Sequence, residues 1–430
     1  MNCLPTRPSR RHPGRLWALA LGLLALVGCA TTPPWVDTPA ARAAMLDAVW
    51  RGIDERHVDP PPAGWTDARE RLRAAVLDAP TDDPDGVWQA LDRVAGERRD
   101  AHTRVEGPRD LRRTVHHEIN SLGFTLALVE GQWVADRVLP DSPAARAGLQ
   151  VGQRLLSWDG EPPEAVWERR WATARDSSTR QARELTTLRQ WLDGPAGRPV
   201  ALRWAQPDGS AWDVTLARET RRVPSAVVQQ RLASGVTVLR WNRFDEALEP
   251  ELLRALRQVP PGPGLVLDLR GNGGGSFDMS KRLIGALLPA PAVVQVTHRR
   301  GGSDRTLHRV GGAPLYAGPL VLLVDRASAS GSEMLAGSLQ ALGRARVVGE
   351  TSCGCLLGIR RYLDLAPNAR LAISEQALAL PDGRRIEAVG VQPDVPVPRR
   401  LAALRAGRDE ALAAAEALLL PPLLTPGAAP

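Results

Sequence analysis

Two segments in the second half of the chain share one pattern, in which an apolar strand runs into a turn of small residues and then into a helix. Residues 265–275 read LVLDLRGNGGG, and residues 321–337 read VLLVDRASASGSEMLAG. Short continuous apolar runs are typical of strands buried on both faces of a sheet. Glycines at the end of such a strand let the backbone approach a ligand and direct N–H groups at it. The pattern predicts an α/β layer architecture with functional residues at these two turns.

Each turn also has a simpler interpretation. A phosphate-binding loop is the alternative for residues 265–275, but the Gly-Lys-Ser/Thr ending that such a loop needs is absent. In the second turn, Ser330 begins a helix, where its hydroxyl lies near the positive end of the helix dipole. Taken alone, a serine at that position is as well explained as a helix cap.

The chain of 430 residues is long enough for two to four domains. Apolar residues recur at helical spacing over 36–112, which predicts a small helical domain. Residues 113–218 change to strand spacing, with strands expected over 124–129, 133–138, 154–158, 200–204 and 212–216. Strands and helices alternate over 219–400. Residues 401–430 are expected to form a closing helix, over 401–420, and a frayed tail.

The first 35 residues read as a targeting segment. A basic stretch precedes an apolar run of 12 residues, 16–27, which is too short to span a bilayer but suits a secretory signal. The run ends in Leu-Val-Gly-Cys29, which resembles a bacterial lipobox; a plain signal peptide with an incidental cysteine is the alternative. The resemblance implies a signal peptide over 1–28, lipidation of Cys29, a tether over 29–35, and a periplasmic protein anchored to the outer membrane.

The net charge of +7 does not indicate a nucleic-acid partner. Four of the arginines lie in residues 1–28, and without them the charge is +3. No basic run with interleaved aromatic residues remains, so nucleic acid is not expected as a partner.

Residues 138–152 read VLPDSPAARAGLQVG, and SWDG follows at 157–160. Together they resemble a PDZ domain, which is therefore expected over 113–218. Leu122-Gly123-Phe124 matches the loop by which PDZ domains hold the carboxylate at a peptide's C-terminus. Successive N–H groups in a turn with glycine form an anion-binding nest, and the next strand pairs with the peptide.

The two turns together resemble the carboxy-terminal processing, or tail-specific, serine peptidases of family S41. The resemblance implies a multidomain α/β protein whose ClpP/crotonase-like core, over 219–400, follows an inserted PDZ domain and an N-terminal helical domain. It makes Ser330 the nucleophile. The oxyanion donors would be the amides of Gly331 and Gly274, with Gly273 as the alternative to Gly274.

The general base departs from the best-known members of the family, which use a lysine shortly after the segment matching Gly349-Glu350. Cys355 stands there, and the one lysine of the chain, Lys281, matches no base position. A second branch, resembling tricorn protease, pairs the serine with a histidine and a glutamate. Asp100-Ala-His-Thr103 and the segment around Glu387 resemble its motifs, which implies His102 as base and Glu387 as its orienter, with Glu375 and Glu333 as alternatives.

Cys353 and Cys355 admit three interpretations: small buried thiols, which we favour, a disulfide, or a reactive pair. No metal and no cofactor is expected. The predicted function is a membrane-anchored serine endopeptidase of the periplasm that cleaves proteins recognised by their free C-termini. The alternative is an inactive PDZ lipoprotein that binds peptides or acts as a scaffold, which the missing lysine suggests.

Overall fold

A computed structural model describes residues 37–80, 85–206, 208–301 and 305–421. The predicted signal peptide over 1–28, the lipidation site Cys29 and the tether over 29–35 lie outside these residues. Among the helices of the described ranges, none combines the length and apolarity that crossing a bilayer requires.

The N-terminal helices pack on one another and on a sheet of the core. The elements here are α1 Pro39–Arg56, α2 Trp65–Leu77, α3 Gly86–Gly96, β1 Arg104–Glu106 and α4 Pro108–Thr114. Leu46 and Leu91 of these helices belong to one apolar cluster with Leu371 and Ile373, which lie at least 280 residues further along the chain. The helices therefore share their core with the end of the chain, because each needs an apolar surface to cover its own buried stripe.

The middle of the chain forms a five-stranded antiparallel sheet with helices beside it. The elements are β2 Glu118–Ser121, β3 Phe124–Val129, β4 Gln132–Val138, α5 Pro143–Arg146, β5 Arg154–Trp158, α6 Pro163–Thr173, α7 Arg180–Leu192, β6 Pro199–Ala205, β7 Ala211–Ala217 and β8 Glu219–Arg222. The sheet order is β3-β4-β5-β6-β7, and β2 pairs with β8. All five strands expected over 124–216 are present, because alternate residues such as Val200, Leu202 and Trp204 are buried on one face.

The remainder of the chain alternates strands and helices. Its elements are β9 Val227–Arg231, β10 Thr237–Trp241, a 3₁₀ turn Glu246–Leu248, α8 Glu249–Arg257, β11 Leu265–Asp268, α9 Phe277–Gly285, β12 Ala292–Arg299, β13 Thr306–Val310, β14 Leu320–Val324, α10 Gly331–Ala341, β15 Arg346–Gly349, β16 Leu357–Ala366, β17 Ala369–Ala379, β18 Val395–Pro396, α11 Leu401–Arg405 and α12 Glu410–Leu419. The two sequence segments with the strand, turn and helix pattern become β11 followed by α9 and β14 followed by α10.

Two sheets organise this part of the chain. One has the order β18-β15-β14-β11-β10-β9 and is parallel except for β9. The other is antiparallel and is centred on β17, which pairs with β1, β12 and β16. Because β11 and β14 are parallel neighbours, the turns that follow them leave the sheet at the same edge. Strand β1 brings the preceding residues, including His102, to β17.

The closing helix expected over 401–420 is not continuous. It is divided into α11 and α12, and Gly407 between them has a φ of +62°. Such a left-handed residue ends a helix, and Asp409 then caps the next one by accepting a hydrogen bond from Leu412 N–H at 2.9 Å. The alanine-rich composition concealed this break.

Candidate active site

Ser330 lies half-buried at the turn between β14 and α10. Its backbone has a φ of +53°, in a region that residues with a side chain rarely adopt. Strain of this kind persists only where surrounding contacts impose it, and it occurs at strand-to-helix turns that present a nucleophile. Ser330 lines a cavity of about 1740 Å³, so its hydroxyl group lies at the start of a helix and beside an open space.

The neighbouring serines have structural contacts instead. Ser328 Oγ donates to Leu269 O at 2.9 Å, and Ser332 Oγ donates to Asn272 O at 2.9 Å. Both side chains are fully buried, and both join the second turn to the first. The structure therefore distinguishes Ser330 from the other two serines of the motif.

Glu333 holds the nucleophile turn from within the protein. It is fully buried, and it accepts hydrogen bonds from Ser330 N–H at 2.9 Å and from Cys355 N–H at 2.9 Å. It also accepts from Gly354 N–H at 2.7 Å and from Ser352 Oγ at 2.6 Å. Burial raises the pKa of Glu333 to about 7, although these hydrogen bonds act to lower it. Glu333 thus joins two loops and faces neither His102 nor the cavity.

The glycine-rich turn after β11 approaches Ser330 closely. A Cβ on Gly274 would lie 2.6 Å from Gly331 N and 2.8 Å from Ser330 Cβ, so only glycine fits there. The N–H of Gly274, however, donates to Asn272 Oδ1 at 2.9 Å. In this conformation it is not free for an oxyanion, contrary to the expectation. Within the described ranges, Gly273 N–H and Gly331 N–H have no hydrogen-bond partner.

His102 lines the same cavity as Ser330, although the two residues lie 228 positions apart in the sequence. Asp100 shapes the loop that carries it, because Asp100 Oδ1 accepts from His102 N–H at 2.8 Å and from Thr103 N–H at 2.7 Å. The ring Nδ1 is buried and has no partner among the described residues. Burial, and then the charge of Arg104, lower the pKa of His102 to about 4, so the ring is neutral at pH 7.

Glu387 does not form the expected hydrogen bond with His102. Its Oε2 accepts a hydrogen bond from Leu356 N–H at 2.6 Å, and its carboxyl group is also hydrogen-bonded to Ser178. Glu387 does not line the cavity. Burial raises the pKa of Glu387 to about 8. Ser178 Oγ in turn accepts from Ala101 N–H at 2.9 Å. The 386–390 loop directs the Glu387 side chain toward Ser178. Through Ser178, Glu387 is linked to Ala101, the residue before His102.

Neither alternative to Glu387 forms a hydrogen bond with His102 either. Glu375 is buried on β17, and its carboxylate lies 3.5 Å from Arg361 Nε. Lys281 pairs with Asp278 at 2.7 Å on α9. Two imidazoles of the described ranges, those of His102 and His117, line the cavity with Ser330, and the His117 ring contacts Arg243.

Cys353 and Cys355 form a disulfide, where free thiols had been the favoured expectation. The disulfide loop lies against the nucleophile turn: Ser330 N–H donates to Cys355 O at 3.1 Å, and Cys353 N–H donates to Ser328 O at 2.9 Å. Ala101 and Ala329 pack on the same two cysteines. The loop therefore contacts the residues that precede both His102 and Ser330.

Leu122 and Phe124 line a second cavity, of about 1050 Å³, between β3 and α7. Gly123 has a φ of +93° and packs directly on Ser142. Its N–H donates to Ser121 Oγ at 2.9 Å, so one amide of the expected nest is already engaged. A groove between a strand and a helix is the shape into which an extended peptide can pair as an additional strand.

Several residues of the site could not be found from local sequence. His57 Nε2 is bonded to Asp100 Oδ2 at 2.9 Å, and Ser374 Oγ donates to Asp100 Oδ1 at 2.7 Å. These partners lie 43 and 274 residues away from Asp100. The aspartate before the histidine was a usable signal, but no spacing rule connects it to His57 or Ser374.

Comparisons with known proteins agree with these features. Residues 235–397 match the model of peptidase family S41, and residues 134–166 match a PDZ domain model. The carboxyl-terminal-processing protease of a Picosynechococcus strain is 26% identical, over 83% of this chain and 83% of its own length. The carboxy-terminal-processing protease of Bartonella bacilliformis is 25% identical, over 82% of this chain and 79% of its own length.

Two solved structures share the fold. Mature CPAF in complex with lactacystin superposes with a TM-score of 0.65 at 13% identity, covering 88% of this chain and 98% of its own. The photosystem II D1 C-terminal processing protease superposes with a TM-score of 0.53 at 23% identity, covering 83% and 93%. Both likenesses confirm the predicted α/β architecture.

Proposed function

Because the chain is an S41 serine peptidase with a PDZ domain, we propose that it is an endopeptidase that selects substrates by their free C-termini. The observation that carries this proposal is the position of Ser330, strained at a helix start in the cavity that His102 also lines. A neutral imidazole can accept the proton of a serine hydroxyl, and a helix N-terminus favours the negative charge that develops.

The reaction would proceed by acyl transfer. Ser330 Oγ attacks the scissile carbonyl while His102 accepts its proton. The C–N bond then breaks, and the amine leaves with that proton. A water molecule that gives a proton to His102 attacks the ester, and Ser330 recovers its proton as the acid product leaves.

The oxyanion of each tetrahedral intermediate needs two donors. Gly331 N–H is one, and Gly273 N–H is unengaged in this conformation, whereas Gly274 N–H must first leave Asn272 Oδ1. Paired amides of this kind contribute about 3 kcal/mol each to the transition state.

Glu387 is proposed to orient His102 after a change of partner. At present its carboxyl group is hydrogen-bonded to Leu356 N–H and to Ser178. Ser178 in turn contacts Ala101, the residue before His102. A change of side-chain conformation would exchange Ser178 for His102 Nδ1, which is buried without a partner. An unsatisfied buried nitrogen costs about 1–3 kcal/mol, which favours such an exchange once substrate closes the cavity.

The remaining proposals concern the cellular setting. Cleavage after Gly28, lipidation of Cys29 and anchoring in the outer membrane would place the peptidase in the periplasm. The lipobox-like sequence supports this proposal, and Ala30 after Cys29 favours the outer membrane, because an aspartate at that position would favour retention in the inner membrane. No cofactor, metal or nucleic-acid partner is proposed. Intact-mass analysis of the mature protein from membranes tests the lipid anchor, since acyl chains on Cys29 add a characteristic mass.

An inactive peptide-binding lipoprotein is the second candidate, and the absence of a hydrogen bond between His102 and Glu387 favours it. A fluorophosphonate probe separates the two functions. Labelling of the wild type that disappears in Ser330→Ala, and persists in the control Ser210→Ala on an exposed turn, supports the peptidase. A folded wild type that is never labelled supports the scaffold.

A further inference from the structure

The two cavities meet along a seam whose lining includes three arginines and one aspartate, and Arg109 is neutralised there by an ion pair with Asp85. The residues that line both cavities are Arg109, Arg113, Leu185, Arg189, Asp193, Gly271 and Ala327. The seam therefore connects the groove between β3 and α7 with the space beside Ser330. Any peptide that occupies both spaces passes these side chains.

Arg113 and Arg189 both line this seam. The charge of Arg113, and then burial, lower the pKa of Arg189 to about 10, although Asp110 and Asp193 oppose this effect. Arg113 is paired with Asp110, whereas the guanidinium of Arg189 has no ion pair or hydrogen bond within the described ranges. Two nearby guanidiniums with one of them unpaired form a site for an anion.

The pair lies at the end of the groove where a peptide would terminate. Arg189 is in the last turn of α7, and the chain just after that helix is tied to β2, because Asn120 Nδ2 donates to Gly194 O at 3.0 Å. Helix α4, which carries Arg113, packs on β2. Strand β2 leads directly into Leu122-Gly123-Phe124. In the loop 122–124, Gly123 N–H already donates to Ser121 Oγ, so a carboxylate bound at this loop needs further hydrogen-bond donors.

We infer that Arg113 and Arg189 together bind the C-terminal carboxylate of the substrate at this seam. Guanidinium groups suit the task, since each presents two parallel N–H donors to the two oxygens of a carboxylate. The inference rests on the proposed peptidase function and specifies how that function would distinguish a chain end from an internal segment.

The test compares two fluorogenic peptides of identical apolar sequence, one ending in a free carboxylate and the other in an amide. We expect kcat/KM of the wild type to favour the free acid by on the order of 10- to 100-fold, the range typical of hydrogen bonds to a charged group. In the R113Q/R189Q double variant the ratio should approach one, through a higher KM for the acid and an unchanged KM for the amide. The control R203Q removes one exposed charge from β6, outside both cavities, and should keep the ratio.

A second measurement does not depend on turnover. Binding of the same two peptides, labelled with fluorescein, to Ser330→Ala should show the same preference for the acid, and adding R113Q/R189Q should remove it. A preference that survives the double substitution overturns the inference, as does a wild type that cleaves acid and amide equally. A wild type that cleaves neither peptide and takes no fluorophosphonate label overturns the peptidase function instead.

Discussion

His57 Nε2 and Asp100 Oδ2 lie 2.9 Å apart, and both side chains are almost completely buried beneath the loop that carries His102. Arg98 donates to His57 Nδ1 at 2.7 Å, so the ring donates from Nε2 to the carboxylate. Asp100 then accepts from His102 N–H on its other oxygen. The position of the proposed base therefore depends on a second histidine that never reaches the cavity.

Asp100→Asn should lower both stability and turnover, because a neutral amide cannot accept four hydrogen bonds. We expect the free energy of unfolding to fall by about 1–3 kcal/mol and kcat to fall at least tenfold with little change in KM. Urea unfolding and peptide cleavage measure the two effects. A stable variant with normal kcat would show that Asp100 does not position His102.

The same substitution should change how stability depends on pH. Burial opposes ionisation of Asp100, but hydrogen bonds from His57, Ser374 and Thr103 outweigh it and lower the pKa of the carboxyl group below 3.8. A lowered pKa stabilises the folded state above the unfolded pKa, and this stability is lost as pH falls through the folded value. The difference in unfolding free energy between wild type and Asp100→Asn should therefore shrink below about pH 4, and a difference that stays constant down to pH 2 contradicts the assignment.

Activity should rise with pH in two steps. The pKa of His102 is lowered to about 4, and the pKa of Glu387 is raised to about 8. A base must be neutral and an orienting carboxylate must be charged, so kcat/KM should increase through both values. Glu387→Gln should lose the upper step and retain the lower one.

Stability provides an independent check on Glu387. The folded state keeps the proton of this carboxyl group up to about pH 8, whereas its usual pKa is 4.5. The unfolded chain binds fewer protons between these values, so the wild type should lose stability as pH rises from 4.5 to 8. Glu387→Gln should not show this loss in urea titrations, and an identical pH dependence in the two proteins would mean that Glu387 is ionised throughout.

Removing the disulfide should slow acylation of Ser330 but should have little effect on the stability of the fold. The ring closed by Cys353 and Cys355 contains few residues, so the crosslink restricts the unfolded chain little. Its loop nevertheless contacts Ser330 through Cys355 O and shares Glu333 with it. Fluorophosphonate labelling should slow several-fold in dithiothreitol and in the Cys353→Ser/Cys355→Ser variant, which should itself be insensitive to dithiothreitol. Equal labelling rates under all conditions would exclude this coupling.

Features that local sequence determines were predictable, whereas features that depend on contacts between distant residues were not. Strands β11 and β14 and their turns were predictable, because continuous apolar runs followed by small residues signal buried strands directly. The loop of His102 was recognised by a motif, although its pairing beside β17 depends on contacts across about 270 residues. The rotamer of Glu387 and the engagement of Gly274 N–H by Asn272 had no sequence signal, since each follows from a choice between neighbouring partners in the folded protein.

Gly123→Ala should weaken the binding of peptide C-termini. The new methyl group would overlap Ser142, and its φ of +93° is unfavourable for any residue with a Cβ. We expect a loss of about 1–3 kcal/mol in stability of the PDZ region and at least a tenfold higher KM for peptides with a free carboxylate. Gly131→Ala is the matched control, because Gly131 also has a positive φ, +76°, in the turn between β3 and β4, but nothing lies within 4 Å of the added carbon. If both variants raise KM equally, backbone strain alone is responsible, and the 122–124 loop has no special part in holding the chain end.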